Sequence, residues 1–94
     1  MNGTWVGRWW GPGQQGDMTV TFGGTSDGVW QGQGSDWVGP FTFRLLESSG
    51  NVVQLEKRYA RYSWIYKGTV SSDLRSINGT WGSGSLSGKF YLNR

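Results

Sequence analysis

Neither cysteine nor histidine occurs anywhere in the 94 residues of this chain. Without cysteine there is no disulfide framework, no thiolate metal site and no thiol nucleophile. Without histidine, the side chain best suited to proton transfer near neutral pH is missing. Proline is scarce at two residues, and charged side chains make up only 16% of the chain. Nine Lys and Arg against six Asp and Glu leave a formal charge of +3, scattered rather than clustered. Such a charge favours solubility without calling for a nucleic acid. No apolar run approaches the roughly 18 residues of a transmembrane helix. The chain does not open on a basic stretch leading into an apolar segment, so no secretory signal is expected and a cytoplasmic location is. No phosphate loop, dinucleotide fingerprint or metal-ligand spacing is present, so no cofactor or metal is expected.

Glycine and tryptophan are abundant instead, at seventeen and seven residues. Trp5, Trp30 and Trp81 each follow a glycine two positions earlier, and Asn-Gly-Thr-Trp occurs twice, ending at Trp5 and at Trp81. Residues two apart in a strand share a face, so each such glycine is expected to leave room beside an indole. One domain spanning residues 1–94 is expected. A chain of this length buries little more than ~60% of its unfolded surface, and large rings fill a core with few residues. Asn2-Gly3-Thr4 and Asn78-Gly79-Thr80 match the glycosylation acceptor pattern, which reads here as strand chemistry.

Turn signals recur roughly every 11 residues, the spacing of an all-β barrel or sandwich. They are Gly11–Gly16, Thr25–Gly28, Gly34–Asp36 with Gly39-Pro40, Ser48–Asn51, the neighbourhood of Ala60, Ser71–Asp73 and Gly82–Ser85, so seven turns separate eight strands. Between them the alternation assigns one apolar face: Trp5, Gly7 and Trp9; Met18, Val20 and Phe22; Trp30, Gly32 and Gly34; Phe41, Phe43 and Leu45. It continues with Val53, Leu55, Lys57 and Tyr59; Tyr62, Trp64, Tyr66 and Gly68; Ile77, Gly79 and Trp81; Leu86, Gly88, Phe90 and Leu92. The opposite parity is mainly Thr, Gln, Ser, Arg and Lys, as in a sheet with one buried side, and this argues against a membrane barrel. Short connections throughout predict an eight-stranded antiparallel up-and-down barrel, with a two-sheet β-sandwich as the competing architecture. An eight-stranded interior is just filled by side chains or admits one small ligand.

Residues 28–91 carry Gly32-x-Gly34-x-Asp36, Gly39-x-Phe41, Lys57-x-Tyr59, Tyr66-x-Gly68, Ile77-x-Gly79-x-Trp81 and Gly88-x-Phe90. This pattern resembles a small Gly- and aromatic-rich β-barrel module of the calycin type, the group of avidin, lipocalin and fatty-acid-binding barrels. The opening Gly3-Thr4-Trp5 is similar to the start of avidins and to the Gly-x-Trp of lipocalins. The resemblance implies a small-ligand barrel. The chain departs from the module at Tyr62, where a His is expected, and at Trp64, where a Val is. The polar biotin-contacting set of avidins has no counterpart beyond the opening motif, so no biotin site is carried over.

In an up-and-down meander, alternate turns fall at the same end. One rim then gathers Trp9, Trp10, Asp36, Trp37, Lys57, Arg58, Tyr59, Arg61, Tyr62 and Trp81, whereas the other has Ser26, Asp27, Ser49, Asn51, Ser72 and Asp73 with no aromatic residue. Lys57 has inward parity, and a buried unpaired ammonium costs several kcal/mol, so it must be paired or sit at a wet mouth. Asp36, inward at the same rim, is the available partner. The pair either closes the barrel end or, with Tyr59 and Tyr62, offers hydrogen bonds to a ligand lying against Trp9, Trp64 or Trp81. The alternation of basic and aromatic residues over Lys57–Tyr62 suits single-stranded nucleic acid, but parity divides it between two faces. Trp10 and Trp37 flank turns, where they suit stacking on a sugar or an apolar ligand. An outward row of Val6, Val29, Leu46, Val52 and Ile65 would, if contiguous, serve a homodimer.

Acid–base catalysis would fall to Asp, Glu, Lys or Tyr, yet only Asp36 is directed inward and Asp17 is the only second acid at its rim. The sequence therefore predicts a non-catalytic barrel that binds a small amphipathic or aromatic molecule through Trp9, Trp10, Asp36, Trp37, Lys57, Tyr59, Tyr62, Trp64 and Trp81. The alternatives are a structural or oligomerisation module with a filled aromatic core, and a carbohydrate-binding module. Neither nucleic acid nor membrane is expected as a partner.

Overall fold

Apolar and polar residues that alternate between short Gly-rich turns can bury their rings only as strands with one face turned inward. The computed structural model describes residues 3–24, 30–83 and 85–94. Its strands are β1 (Gly3–Gly11), β2 (Gln14–Gly24), β3 (Trp30–Asp36), β4 (Gly39–Ser49), β5 (Val52–Arg58), β6 (Ser63–Val70), β7 (Ser76–Ser83) and β8 (Leu86–Asn93). Each pairs antiparallel with the next, and β1 pairs with β8 from Val6↔Asn93 to Trp10↔Lys89. That last ladder closes an up-and-down barrel and removes the free edges a sandwich would keep.

The connections are tighter than the turn signals suggest, because the strands run into them. Pro12-Gly13, Trp37-Val38 and Gly50-Asn51 are two-residue loops between directly paired strand ends. Gly13 and Gly50 have φ of 74° and 60°, the left-handed region that side chains disfavour. At the Ala60 turn the chain loops from Tyr59 to Tyr62, whose carbonyl accepts the Tyr59 N–H at 2.9 Å. Tyr62 thus precedes β6 rather than opening it. The signal at Thr25–Gly28, with its Ser26 and Asp27, lies outside the described residues, as do Asn2, Val29 and Gly84.

The interior follows the parity of the strands. Trp5, Trp9, Met18, Val20, Phe22, Phe41, Phe43, Val53, Leu55, Tyr59, Tyr66, Val70, Ile77, Trp81, Phe90 and Leu92 form one buried cluster, with Leu45 and Trp64 packed against it. A register shift between Leu45 and Glu47 in β4 turns both Leu46 and Glu47 outward, so Glu47 pairs with Gln54 rather than entering the core. Of the outward apolar residues, Val6 lies between Thr19 and Asn93, Val52 between Ser49 and Thr69, and Ile65 between Glu56 and Gly82. Their neighbours in the sheet are polar or glycine, so these three do not form a contiguous row.

The glycines make room for the indoles, but from neighbouring strands. A Cβ on Gly88 would stand 2.6 Å from the Trp81 ring, and one on Gly11 2.7 Å from it. Gly79, the in-strand neighbour of Trp81, instead lies against the β6 backbone, where a Cβ would overlap the Lys67 carbonyl. Trp81 therefore occupies the space left by two glycines contributed by β1 and β8.

Candidate functional site

The turns after β1, β3, β5 and β7 meet at one end of the barrel. There the aromatic side chains form a chain of ring contacts. Trp37 stacks on Trp9 at 6.0 Å, Trp9 meets Trp81 edge-on at 6.0 Å, and Trp81 meets Trp64 at 5.2 Å. Trp64 then contacts Tyr62 at 5.8 Å, and Tyr62 contacts Tyr59 at 5.3 Å. The collar surrounds a recess of about 60 Å³ lined by Trp9, Tyr59, Tyr62, Trp64, Tyr66 and Trp81, with Gly11, Pro12, Gln14, Val38 and Leu86 around its edge. Among the described residues, no charged side chain lines it. A water occupies about 10–15 Å³ on this measure, so the recess admits a handful of waters or one end of a small organic molecule.

Beneath the collar sits a polar node. Asp36 ends β3, and its carboxylate oxygens divide two tasks. Oδ1 accepts the backbone N–H groups of Val38 at 3.0 Å and Gly39 at 3.3 Å, which pins the two-residue turn. Oδ2 accepts from Lys57 Nζ at 2.8 Å, from Trp9 Nε1 at 3.1 Å and from the Tyr59 hydroxyl. Five donors therefore converge on one carboxylate, and the Asp36–Lys57 ion pair forms across β4 as parity suggested.

Lys57 is 0% exposed. Its other two protons go to the Tyr66 hydroxyl at 3.2 Å and to Met18 Sδ at 3.7 Å, and Phe41 lies 4.3 Å below the ammonium. Burial disfavours the charge and Asp36 restores part of it, so the ammonium is pulled down from 10.5 to about 8. Burial, with the Asp36 charge adding to it, pushes both the Tyr59 and the Tyr66 hydroxyls well above the ordinary phenol range, and both stay protonated. Tyr59 is further held by its hydrogen bond to Asp36.

The residues singled out from the sequence thus separate into three places. Trp9, Tyr59, Tyr62, Trp64 and Trp81 line the recess. Asp36 and Lys57 lie underneath as the buried node. Trp10 is one residue out of phase with Trp9 and stands on the outer wall, 38% exposed and in contact with Tyr91. Trp37 is 64% exposed, yet its ring covers Trp9 and its Nε1 donates to the Gln15 carbonyl at 2.9 Å. That position depends on Gly16, whose Cβ would stand 2.6 Å from Trp37 Cδ1. Arg58 and Arg61 are exposed beside the mouth but do not line the recess.

Tyr66 was not among the site residues read from the sequence. Parity put it inside, but parity gives the side of the sheet and not the depth along the barrel. Val38 and Leu86 were missed as well, although each is an apolar residue beside a turn at the aromatic rim. Among the described residues, no group of three or more acidic side chains is gathered as a metal site would require. No family model and no curated protein matches the chain. What places it among known architectures is the eight-stranded antiparallel barrel itself.

Proposed function

We propose that the chain is a calycin-like, non-catalytic binding barrel that takes a small amphipathic or aromatic molecule at its mouth. The observation that carries this reading is an aromatic recess ringed by exposed apolar side chains at one end of the barrel. Trp37, Val38, Tyr62 and Leu86 range from 36% to 64% exposed there. Rings that a monomer would otherwise bury, arranged around a concavity with few polar groups, suit a flat apolar ligand. The absence of catalysis is supported by Asp36: the inward acid is held by five donors and has no free lone pair aimed at a substrate.

A second reading, a structural or oligomerisation module, is favoured by the filled interior, in which the ring cluster runs unbroken from Trp5 to Trp81. Tryptophan emission separates the two, since Trp9, Trp64 and Trp81 line the recess. Titration with small aromatic compounds, fatty acids and sugars is expected to shift emission for the aromatic class. If no class perturbs emission at millimolar concentration, the binding reading is lost and the structural one takes its place. A response to sugars alone would make the site a carbohydrate module.

A further inference from the structure

The hydrogen bonds at the floor of the recess leave one proton over. The Lys57 ammonium has three protons, and Asp36, Tyr66 and Met18 accept them. Trp9 and Tyr59 both donate to Asp36, and the Trp81 indole N–H donates to the Trp10 carbonyl at 3.2 Å. The Tyr66 oxygen accepts from the ammonium, but among the described residues nothing accepts the Tyr66 proton. Tyr66 is only 3% exposed, and it lines the recess. The hydroxyl is its one polar side-chain group. An ammonium that donates to a phenol oxygen polarises its O–H and makes it a stronger donor. Tyr62 also carries a hydroxyl on this lining, but at 47% exposure water serves it.

The same arrangement selects against charge in the ligand. Asp36 is occupied by five donors, so a cationic ligand finds no open carboxylate on the floor. A ligand carboxylate would add a second negative charge beside Asp36 and would have one strong donor for two oxygens. A neutral acceptor oxygen matches one O–H, and a flat apolar body matches the rings above it.

Building on the mouth as a binding site, we infer that Tyr66 is its specificity-determining donor and that the ligand is a neutral aromatic compound carrying a carbonyl-type oxygen. Lys57 is then a positioning residue, acting on the ligand through the Tyr66 hydroxyl without touching it.

The test compares acetophenone with α-methylstyrene, in which C=CH2 replaces C=O at nearly the same shape, and with benzylammonium. Dissociation constants are read from tryptophan emission for the wild type and for Tyr66→Phe. Acetophenone is expected to bind the wild type about tenfold more tightly than α-methylstyrene, the value of one hydrogen bond to a buried donor. Tyr66→Phe should remove that advantage while leaving α-methylstyrene within about twofold. The carbonyl stretch of bound acetophenone should lie at lower frequency in the wild type than in Tyr66→Phe, a readout that a merely structural tyrosine would not move. Equal affinities for the two neutral compounds, a preference that survives Tyr66→Phe, or tightest binding of benzylammonium each overturns the inference and leaves the binding mouth standing. If none of the three binds, the mouth and the inference fall together. Should Tyr66→Phe not fold, the wild-type comparison still decides, together with the carbonyl stretch of acetophenone bound to the wild type, which should lie below its frequency in an apolar solvent.

Discussion

The two ends of the barrel interior are both filled with rings but treat their polar atoms in opposite ways. Away from the mouth Trp5, Val20, Phe22, Phe43, Ile77 and Leu92 are all at most 3% exposed, and among the described residues the Trp5 indole N–H has no hydrogen-bond partner. The Arg94 guanidinium lies over the Trp5 ring at 5.5 Å without relieving that donor. At the mouth, the indole of Trp9, the phenol of Tyr59, the ammonium of Lys57 and two backbone N–H groups all reach Asp36. A single carboxylate thereby ties β1, β3 and β5 together under the collar. A ring-filled interior tolerates an orphan N–H when surrounding contacts compensate, but it tolerates a charge only when that charge is itself paired and hydrogen-bonded. The mouth is thus braced underneath by hydrogen bonds to Asp36 and open above.

The largest expected effect breaks the node. Lys57→Met leaves the Asp36 carboxylate buried without its cation and should cost about 3–5 kcal/mol in denaturant unfolding. Asp36→Asn combined with Lys57→Met should recover part of that loss. A loss below about 1 kcal/mol for Lys57→Met would show that water reaches Asp36 and that the mouth is not a sealed node.

A pH titration sharpens the same point. Lys57 holds its proton to about 8 in the folded chain but to its ordinary 10.5 when unfolded. Below this window both states are charged, and within it only the unfolded chain keeps the proton. Stability carried by this group is therefore flat below about 8 and rises from there to 10.5. The margin of wild type over Lys57→Met should widen by on the order of 3 kcal/mol across that window. A constant margin would mean that the ammonium titrates normally.

A matched pair of tryptophan replacements compares the ends directly. Trp5→Phe and Trp9→Phe remove the same ring volume, but the first removes an orphan donor and the second a donor to a buried carboxylate. Trp9→Phe should be the more costly by about 1–2 kcal/mol in thermal or chemical unfolding. Equal losses would indicate that another group or a water takes the place of Trp9 at Asp36.

The smallest effect concerns the cap. Gly16→Ala places a Cβ against Trp37 and 2.9 Å from the Trp9 ring, and the exposed indole should swing off Trp9 at a cost of about 1 kcal/mol. Collisional quenching of Trp37 should rise. Unchanged quenching with a much larger loss of stability would mean that the barrel wall, not the cap, gave way.

The sequence displayed the inside of the barrel clearly because pleat geometry is local. Val53, Leu55 and Lys57 are buried along one face of β5, and Tyr59 just beyond its end, as their spacing required. Lys57 and Asp36 were visible as partners because each interrupts an apolar face near the same rim. Trp37 was harder to place, since a residue in a two-residue turn has no strand parity to follow. The open proton of Tyr66 was invisible, because it depends on which acceptors three other side chains have already met. The seat of Trp81 was hidden for a similar reason: one of its two glycines, Gly11, comes from β1, far away in sequence.

The sequence by itself determined the strands, the turns between them and the side of the sheet on which each ring falls. Those properties follow from a period of two and from the glycines between the runs. Tertiary structure decided which donors share Asp36, which glycines receive which indole, and which rings remain around an open mouth. Closure of the barrel sets those distances, bringing together Asp36 and Lys57 from 21 residues apart and Trp10 and Trp81 from 71. Stagger between strands is a global quantity that no local pattern encodes.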